Sequence, residues 1–262
     1  MKFDFTDKKV VITGAAGIIG RRIATDFAAA GAMLCLSDNR AKKLASLPKE
    51  LGLKKGRYLT HATELTDAKS IAKLALLVAK EWRSPDIVIN NAGVYHRTGS
   101  VLKISNEAYD EMMDVNLRAP FLISRDMANL MVKAKVKGSI INISSGAARR
   151  MGMGSVPYCT SKTAIDRLTK GFALELAPLG IRVNAVEPGF AAGSEVSLLS
   201  DDYVKAMVAR IPMGRSSGPH DAPNAILFLC SEAAEFITGA TVAVDGGNSI
   251  GTFNPDFYKK KA

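Results

Sequence analysis

A doubly wound α/β fold, with one sheet of about seven parallel strands and helices on both faces, is what this sequence predicts. Three observations point to it. Short β-branched or apolar runs alternate with helix-periodic segments from residue 9 to residue 244. A glycine-rich turn follows the first of those runs and opens a helix. Later runs end at polar or glycine-containing edges, where strands of such a sheet meet ligands. At 262 residues the chain suits a single domain, and it buries enough apolar surface to need no disulfide staples.

The elements follow in order. Lys9–Thr13 (KVVIT) is the first strand, and Gly14, Gly17 and Gly20 punctuate the turn after it. Ile18 and Ile19 open a helix over residues 18–30. Glycines let the backbone turn sharply and approach a pyrophosphate seated on the helix's positive end. Residues 33–37 form strand two, and Asp38 arrives where a carboxylate would accept from an adenine ribose. The same carboxylate can cap the next helix at residues 39–40. Residues 57–62 read as strand three, and residues 67–82 as an amphipathic helix with Ile71, Leu74 and Val78 on one face. Strand four, 86–89, closes in Asn90-Asn91-Ala92-Gly93, a turn by composition and a ligand edge by position.

A long helix is expected over residues 106–135, with Asn116 four residues before Pro120. Proline has no N–H to give, so the Asn116 carbonyl needs another partner, such as a water or a lysine ammonium. An ordinary proline kink is the alternative. Residues 138–162 then organise the rest of the chain. An apolar strand, 140–143, ends at Ser144-Ser145-Gly146, and a glycine-rich loop leads to a helix carrying Tyr158 and Lys162. Four apart on a helix, the phenol and the ammonium share a face. A nearby cation stabilises a phenolate and lowers its pKa from about 10, which makes tyrosine a usable acid/base. Ser145 can hydrogen-bond the same substrate oxygen. The bland reading of Tyr-x-x-x-Lys is an aromatic ring packed on a lysine stem.

Strand six covers 181–186 and is followed by Pro188-Gly189 and a variable lid, about 190–215. A helix at 221–229 and a last strand at 240–244 precede Asp245-Gly246-Gly247 and a tail over 248–262. There is no repeat, linker or composition break.

Composition narrows the function classes. The formal charge is +10, spread along the chain apart from residues 40–57 and the terminal lysines. Without aromatic interleaving or a reader motif, that charge suits an anionic cofactor or substrate better than nucleic acid. Cys35, Cys159 and Cys230 lack metal spacing and read as reduced thiols, so no metal site is expected. No leader-like or membrane-spanning run is visible, and a cytoplasmic location without a membrane partner is expected.

Together these motifs resemble the short-chain dehydrogenase/reductase family from residue 9 to about residue 247. The resemblance is carried by TGAAGIIG, NNAG, Asn116, Ser145 thirteen residues before Tyr158, Lys162, Pro188-Gly189 and TGATVAVDGG. It implies a Rossmann fold, a nicotinamide cofactor and hydride transfer between a secondary alcohol and a ketone. By the same likeness Tyr158 is the acid/base, Lys162 tunes it and holds the nicotinamide ribose, Ser145 polarises the substrate oxygen, and Asn116 holds a water leading to Lys162. The dinucleotide is expected on Gly14, Gly17, Ile18, Ile19, Gly20, Asp38, Glu64, Leu65, Asn91, Ala92, Gly93, Pro188 and Gly189, besides Tyr158 and Lys162. Three departures stand out. Gly17 falls one place earlier than the family's usual glycine, which predicts altered pyrophosphate contacts. Gly193 replaces a frequent threonine, leaving the carboxamide to backbone around residues 189–191. Glu64-Leu65 replaces the usual Asp-Val or Asp-Leu beside the adenine.

The leading expectation is an NAD-dependent oxidoreductase of a sugar, polyol or hydroxy acid, with NADP the less favoured cofactor because Asp38 would repel its 2′-phosphate. The alternative enzyme is a 3-oxoacyl thioester reductase. Against it stands Leu179, where reductases that dock an acidic carrier protein often have arginine. A non-catalytic dinucleotide-binding regulator is the third reading, and retention of Tyr158 and Lys162 argues against it. His96, Arg97, Arg149, Arg150 and Ser155 sit in loops expected to border the substrate crevice. The arginines suggest an anionic substrate, unless they face solvent or a neighbouring subunit. The family suggests a homotetramer or dimer.

Overall fold

The computed structural model describes residues 3–96, 99–192 and 200–257. Seven strands form one sheet in the order β3-β2-β1-β4-β5-β6-β7. They are β1 (Lys9–Thr13), β2 (Met33–Asp38), β3 (Tyr58–Ala62), β4 (Ile87–Asn90), β5 (Ser139–Ile143), β6 (Arg182–Pro188) and β7 (Thr241–Val244). Every neighbouring pair is parallel. The order reverses between β1 and β4, where Val10 lies opposite Ile87 and Ile12 opposite Ile89. Such a switch point opens a crevice at the carboxyl ends of the strands. The Gly14 turn and the Asn91–Gly93 edge flank it.

The helices are α1 (Ile18–Ala29), α2 (Ala41–Glu50), α3 (Ala68–Trp82), α4 (Asn106–Met113), α5 (Ala119–Ala134), α6 (Val156–Leu176), α7 (Asp201–Val208) and α8 (Asp221–Cys230). Strand side chains alternate between the two faces, which produces two cores. Val10, Ile12, Leu34 and Leu36 pack with Ile23 and Phe27 of α1 and Ile226 of α8. Val11, Cys35, Val88 and Ile140 pack with Leu74 of α3 and Ile123 and Met127 of α5. Apolar burial on both faces explains why the strands read as near-continuous apolar runs.

The expected doubly wound sheet is present, and its details differ in three places. The helix expected over 106–135 is two helices joined by a π-turn, Asp114–Arg118. The Ala119 N–H reaches back five residues to the Asp114 carbonyl. A widened turn of this kind accommodates Pro120, which would otherwise press on the preceding turn. Strand six runs through Pro188, because Gly189 N–H still bonds Val244 O at 2.8 Å and keeps the pairing with β7 going. Asp38 does not cap α2, whose cap position is Arg40. Its Oδ1 instead accepts from Arg40 N at 3.0 Å, the local turn that aspartate favours. The expected lid contains α7, and residues 193–199 of it lie outside the described residues. Among the described residues no helix is long and apolar enough to cross a membrane.

Candidate active site

One cleft of about 1240 Å³ runs along the carboxyl edge of the sheet from Asp38 past Gly14 to Tyr158 and Lys162. At its first end backbone packs on backbone. Gly14 has φ +61, and a Cβ there would lie 2.8 Å from Ala92 Cα. A Cβ on Gly20 would lie 2.1 Å from Gly14 O, so α1 can start this close to the turn only with glycine. Asn91 fixes the arrangement, its Nδ2 donating to Thr13 O at 2.9 Å and Gly14 O at 3.1 Å. Thr13 Oγ1 accepts from Asn91 N and Ala92 N, both at 3.1 Å. Gly17 caps α1, and a Cβ there would meet Gly14 O at 3.3 Å, a much milder contact. The shape is a cradle open to a pyrophosphate, with Ile18 and Ile19 along its floor.

Asp38 closes that end, buried at the tip of β2. Ala16 N and Arg40 Nη2 donate to its Oδ2 at 3.0 and 2.9 Å, and Arg40 N and Nε to its Oδ1 at 3.0 and 2.8 Å. Burial pushes its pKa up, but the Arg40 bonds outweigh that and hold it below the usual carboxylate range. Arg40 therefore lies against Asp38 in the cleft lining. Glu64 is turned onto Thr66, accepting from its N and Oγ1 at 3.2 and 3.0 Å, and with Leu65 lines the cleft.

At the other end the expected acid/base groups converge. Lys162 is buried and donates to Ile143 O at 2.8 Å, with its Nζ 5.8 Å from the Tyr158 ring centroid. Asn116 clasps the chain after Gly93, Oδ1 accepting from Val94 N at 2.8 Å and Nδ2 donating to Val94 O at 2.9 Å. A Cβ on Gly93 would lie 3.3 Å from Asn116 Oδ1 and 3.5 Å from Lys162 Nζ. Ser145 hydrogen-bonds Tyr158. Pro188 and Gly189 form the facing wall.

One electrostatic expectation is corrected. Burial drives the Tyr158 pKa up, and the Ser145 bond only partly offsets it; the lysine does not dominate. The phenolate loses its hydration, while the ammonium points at Ile143 O. Lys162 itself is pushed down to about 8 by burial, against the pull of Asp166.

The residues expected to meet substrate divide. Arg150, His96 and Ser155 line the cleft. His96 Nε2 pairs with Glu111 Oε2 at 2.9 Å, and Ser155 Oγ lies 3.2 Å from the Tyr95 hydroxyl. Arg149 does not border the cleft. Its Nε sits 2.9 Å from Oε2 of Glu187, a fully buried carboxylate that needs a charged partner. Arg97 lies outside the described residues.

Sequence reasoning missed Tyr95, whose ring meets Tyr158 edge-on at 4.9 Å, and Phe190, which lines the cleft. It also missed a buried amide chain under the site. Asn90 Nδ2 donates to Asn142 Oδ1 at 2.8 Å, and Asn142 Nδ2 to Thr169 Oγ1 at 2.9 Å. Asn142, polar inside an apolar strand, was its visible sign. Among the described residues no cluster of three His, Cys, Asp or Glu could hold a metal.

A family model described as enoyl-(acyl carrier protein) reductase matches residues 14–249. The chain belongs to the short-chain dehydrogenase/reductase family. It is 34% identical to the 3-oxoacyl-[acyl-carrier-protein] reductase of Rickettsia bellii, over 93% of this chain and 98% of that protein. Among solved structures, a short-chain type dehydrogenase/reductase from Mycobacterium marinum superposes with TM-score 0.88 at 30% identity, covering 95% of this chain and 98% of its own. A putative NAD(P)-dependent gluconate 5-dehydrogenase from Beutenbergia cavernae, with bound NADP, gives TM-score 0.88 at 31% identity, with 96% and 100% coverage. This short-chain dehydrogenase/reductase is accordingly an NAD(P)-dependent oxidoreductase with a Rossmann-type fold.

Proposed function

We propose that this enzyme interconverts a 3-oxoacyl thioester and its 3-hydroxy form, with NAD as the preferred dinucleotide. The observation that carries the reaction type is the convergence of Ser145, Tyr158 and Lys162 at one end of a cleft whose other end is a glycine-packed cradle. A dinucleotide fits that cradle, and when bound it supplies or accepts the hydride. Tyr158 moves a proton to or from the substrate oxygen, and Ser145 holds that oxygen by a hydrogen bond. Lys162 offers protons to the nicotinamide ribose, while the Ser145 hydrogen bond draws the Tyr158 pKa down against burial. Asn116 anchors the edge beside Lys162 and holds the water through which the lysine regains its proton. Pro188 and Gly189 confine the nicotinamide.

The thioester is favoured by the likeness to the Rickettsia reductase over nearly the whole chain. Val94, Val115, Met151, Phe190 and Met207 in the cleft lining suit an acyl chain. Leu179, half exposed, argues for a coenzyme A thioester over a carrier-protein thioester. A second reading, a sugar acid or hydroxy acid with an anionic group, is favoured by Arg150 and His96 in the cleft lining and by the likeness to the gluconate dehydrogenase. The deciding assay follows nicotinamide absorbance with acetoacetyl-CoA, gluconate and neutral polyols. Turnover of gluconate without acetoacetyl-CoA selects the second reading; turnover of neither removes both.

NAD preference rests on Asp38 at the ribose position. The margin should be small, because Arg40 already neutralises that carboxylate. A cytoplasmic setting accords with free thiols at Cys35, Cys159 and Cys230. A homo-oligomer is proposed from exposed Phe121 and Val132 on α5 and Leu174 on α6, and light scattering would report it.

A further inference from the structure

Lys162 is a buried cation, so something must keep it charged. Glu187, the residue before Pro188, is 0% exposed and takes Arg149 Nε at 3.2 Å on Oε1 and 2.9 Å on Oε2. Asp166 lies one helical turn beyond Lys162 on the same face of α6, and its Oδ1 is buried without a hydrogen-bond partner. Ser144 ties the parts together, donating from Oγ to Lys162 O at 3.4 Å and from N to Val186 O at 2.8 Å. Two carboxylates and two cations thus gather here: Glu187 and Lys162 are buried, Asp166 is half-buried, and Arg149 reaches in from the surface. Such a set is stable only when its charges balance.

We propose that Asp166 and Glu187, balanced by Arg149, are positioning residues that keep the Lys162 ammonium charged at the edge of the cleft. The proposal rests on the reading of Lys162 given above. Burial raises the Asp166 pKa and Ser144, Arg149 and Lys162 draw it down; burial raises that of Glu187 and Arg149 draws it down. The other charged groups around the set have partners or oppose one another. Asp245, after β7, accepts from Gly247 N at 3.0 Å and Ser249 N at 2.8 Å, and exposed Lys170 acts on Asp166 from the next turn of α6. Beyond Tyr158 and Cys159 on α6 itself, the π-turn presents Asp114 paired with Arg118, and α4 presents Glu111 paired with His96. Counting Asp245 and Lys170, three carboxylates meet three cations. Neutralising Asp166 leaves a net positive charge, and the cheapest relief is loss of the Lys162 proton.

The test is a direct titration of the Lys162 side chain by NMR in the protein without dinucleotide, its signal assigned by Lys162→Met, and then the pH dependence of NADH affinity. Asp166→Asn, which keeps size and shape, should move the Lys162 midpoint from about 8 to roughly 7. NADH affinity should then fall about fivefold at pH 8 and less than twofold at pH 6. Glu187→Gln should shift it the same way, because Arg149 is freed to neutralise Asp166. Removing both members in Arg149→Met/Glu187→Gln restores one-for-one balance and should return the midpoint toward wild type. A midpoint unmoved in Asp166→Asn, or a double variant no nearer wild type than Glu187→Gln, overturns the proposal. If Glu187→Gln does not fold, the Asp166→Asn arm decides alone. Because the NMR arm needs no cofactor, failure of wild type to bind NADH would remove the functional reading and leave this result standing separately.

Discussion

The two ends of the cleft are built from different materials. At the dinucleotide end the walls are main chain: Gly14 against Ala92, Gly20 against Gly14, and Asn91 bonded to the Thr13 and Gly14 carbonyls. At the substrate end the walls are side chains from separate loops, including Tyr95, His96, Arg150 and Met207. A main-chain wall is specified by what cannot fit, and glycine is the only residue that leaves the room. A side-chain wall is specified by which partner each group finds, and that depends on segments far away in sequence. Substitutions should therefore act differently at the two ends: according to main-chain clearance and regardless of substrate in the cradle, substrate-dependent at the mouth.

The largest effect is expected where the chemistry joins the two ends. Tyr158→Phe removes the group proposed to transfer the proton and should lower kcat by about 10²- to 10⁴-fold. NADH affinity, measured by fluorescence titration, should stay within a few-fold of wild type. Substantial residual turnover would mean that another group moves the proton.

The cradle gives the next largest effect and the sharpest internal contrast. Gly20→Ala puts a methyl 2.1 Å from a carbonyl oxygen that belongs to the backbone and cannot swing away. Overpacking of this kind costs up to about 3 kcal/mol, equivalent to roughly 10²-fold in NADH affinity. Gly17→Ala, with its nearest contact at 3.3 Å, should lose only a few-fold. Equal losses at both positions would break the claim that this end is shaped by main-chain exclusion.

That contrast also explains what the sequence disclosed. The sheet, the glycine turn, the Asn-Ala-Gly edge and the Tyr158–Lys162 face are local patterns, and each appears where its period or its turn residues place it. Arg149 and Arg150 are adjacent and chemically identical, and no local pattern separates them. One turns onto Glu187 and the other to the cleft, because β6 carries a buried carboxylate that claims the first. Glu187 itself was visible as a lone acid in the apolar run VNAVEPG. The π-turn at Asp114–Arg118 was visible only as a proline conflict, which a kink would have resolved equally well.

At the mouth, Arg150→Ala distinguishes the two substrate readings. If the substrate carries an anion there, one charge-assisted bond of about 1.5–3 kcal/mol is lost, and KM should rise about tenfold or more. A neutral analogue should be affected less than threefold. Equal losses on both would show that Arg150 shapes the loop and reads no charge.

The smallest expected effect returns to the dinucleotide end, at its one side-chain wall. Arg40 forks onto Asp38 with Nε and Nη2 at 2.8 and 2.9 Å. In that state the carboxylate repels a 2′-phosphate weakly, and its oxygens are already occupied when a ribose hydroxyl arrives. Arg40→Ala exposes the charge and frees an oxygen, so NADP should bind worse and NAD better. The half-exposed fork is screened by solvent and salt, which limits the effect to about 1 kcal/mol. The ratio of kcat/KM for NAD over NADP should accordingly rise about fivefold. Asp38→Ala should move the ratio the other way, since it leaves Arg40 as a phosphate-binding cation. Both ratios should flatten as ionic strength rises. A ratio that falls in Arg40→Ala would mean that the arginine chiefly holds Asp38 in place for the ribose, and cofactor choice at this end would then follow geometry more than charge.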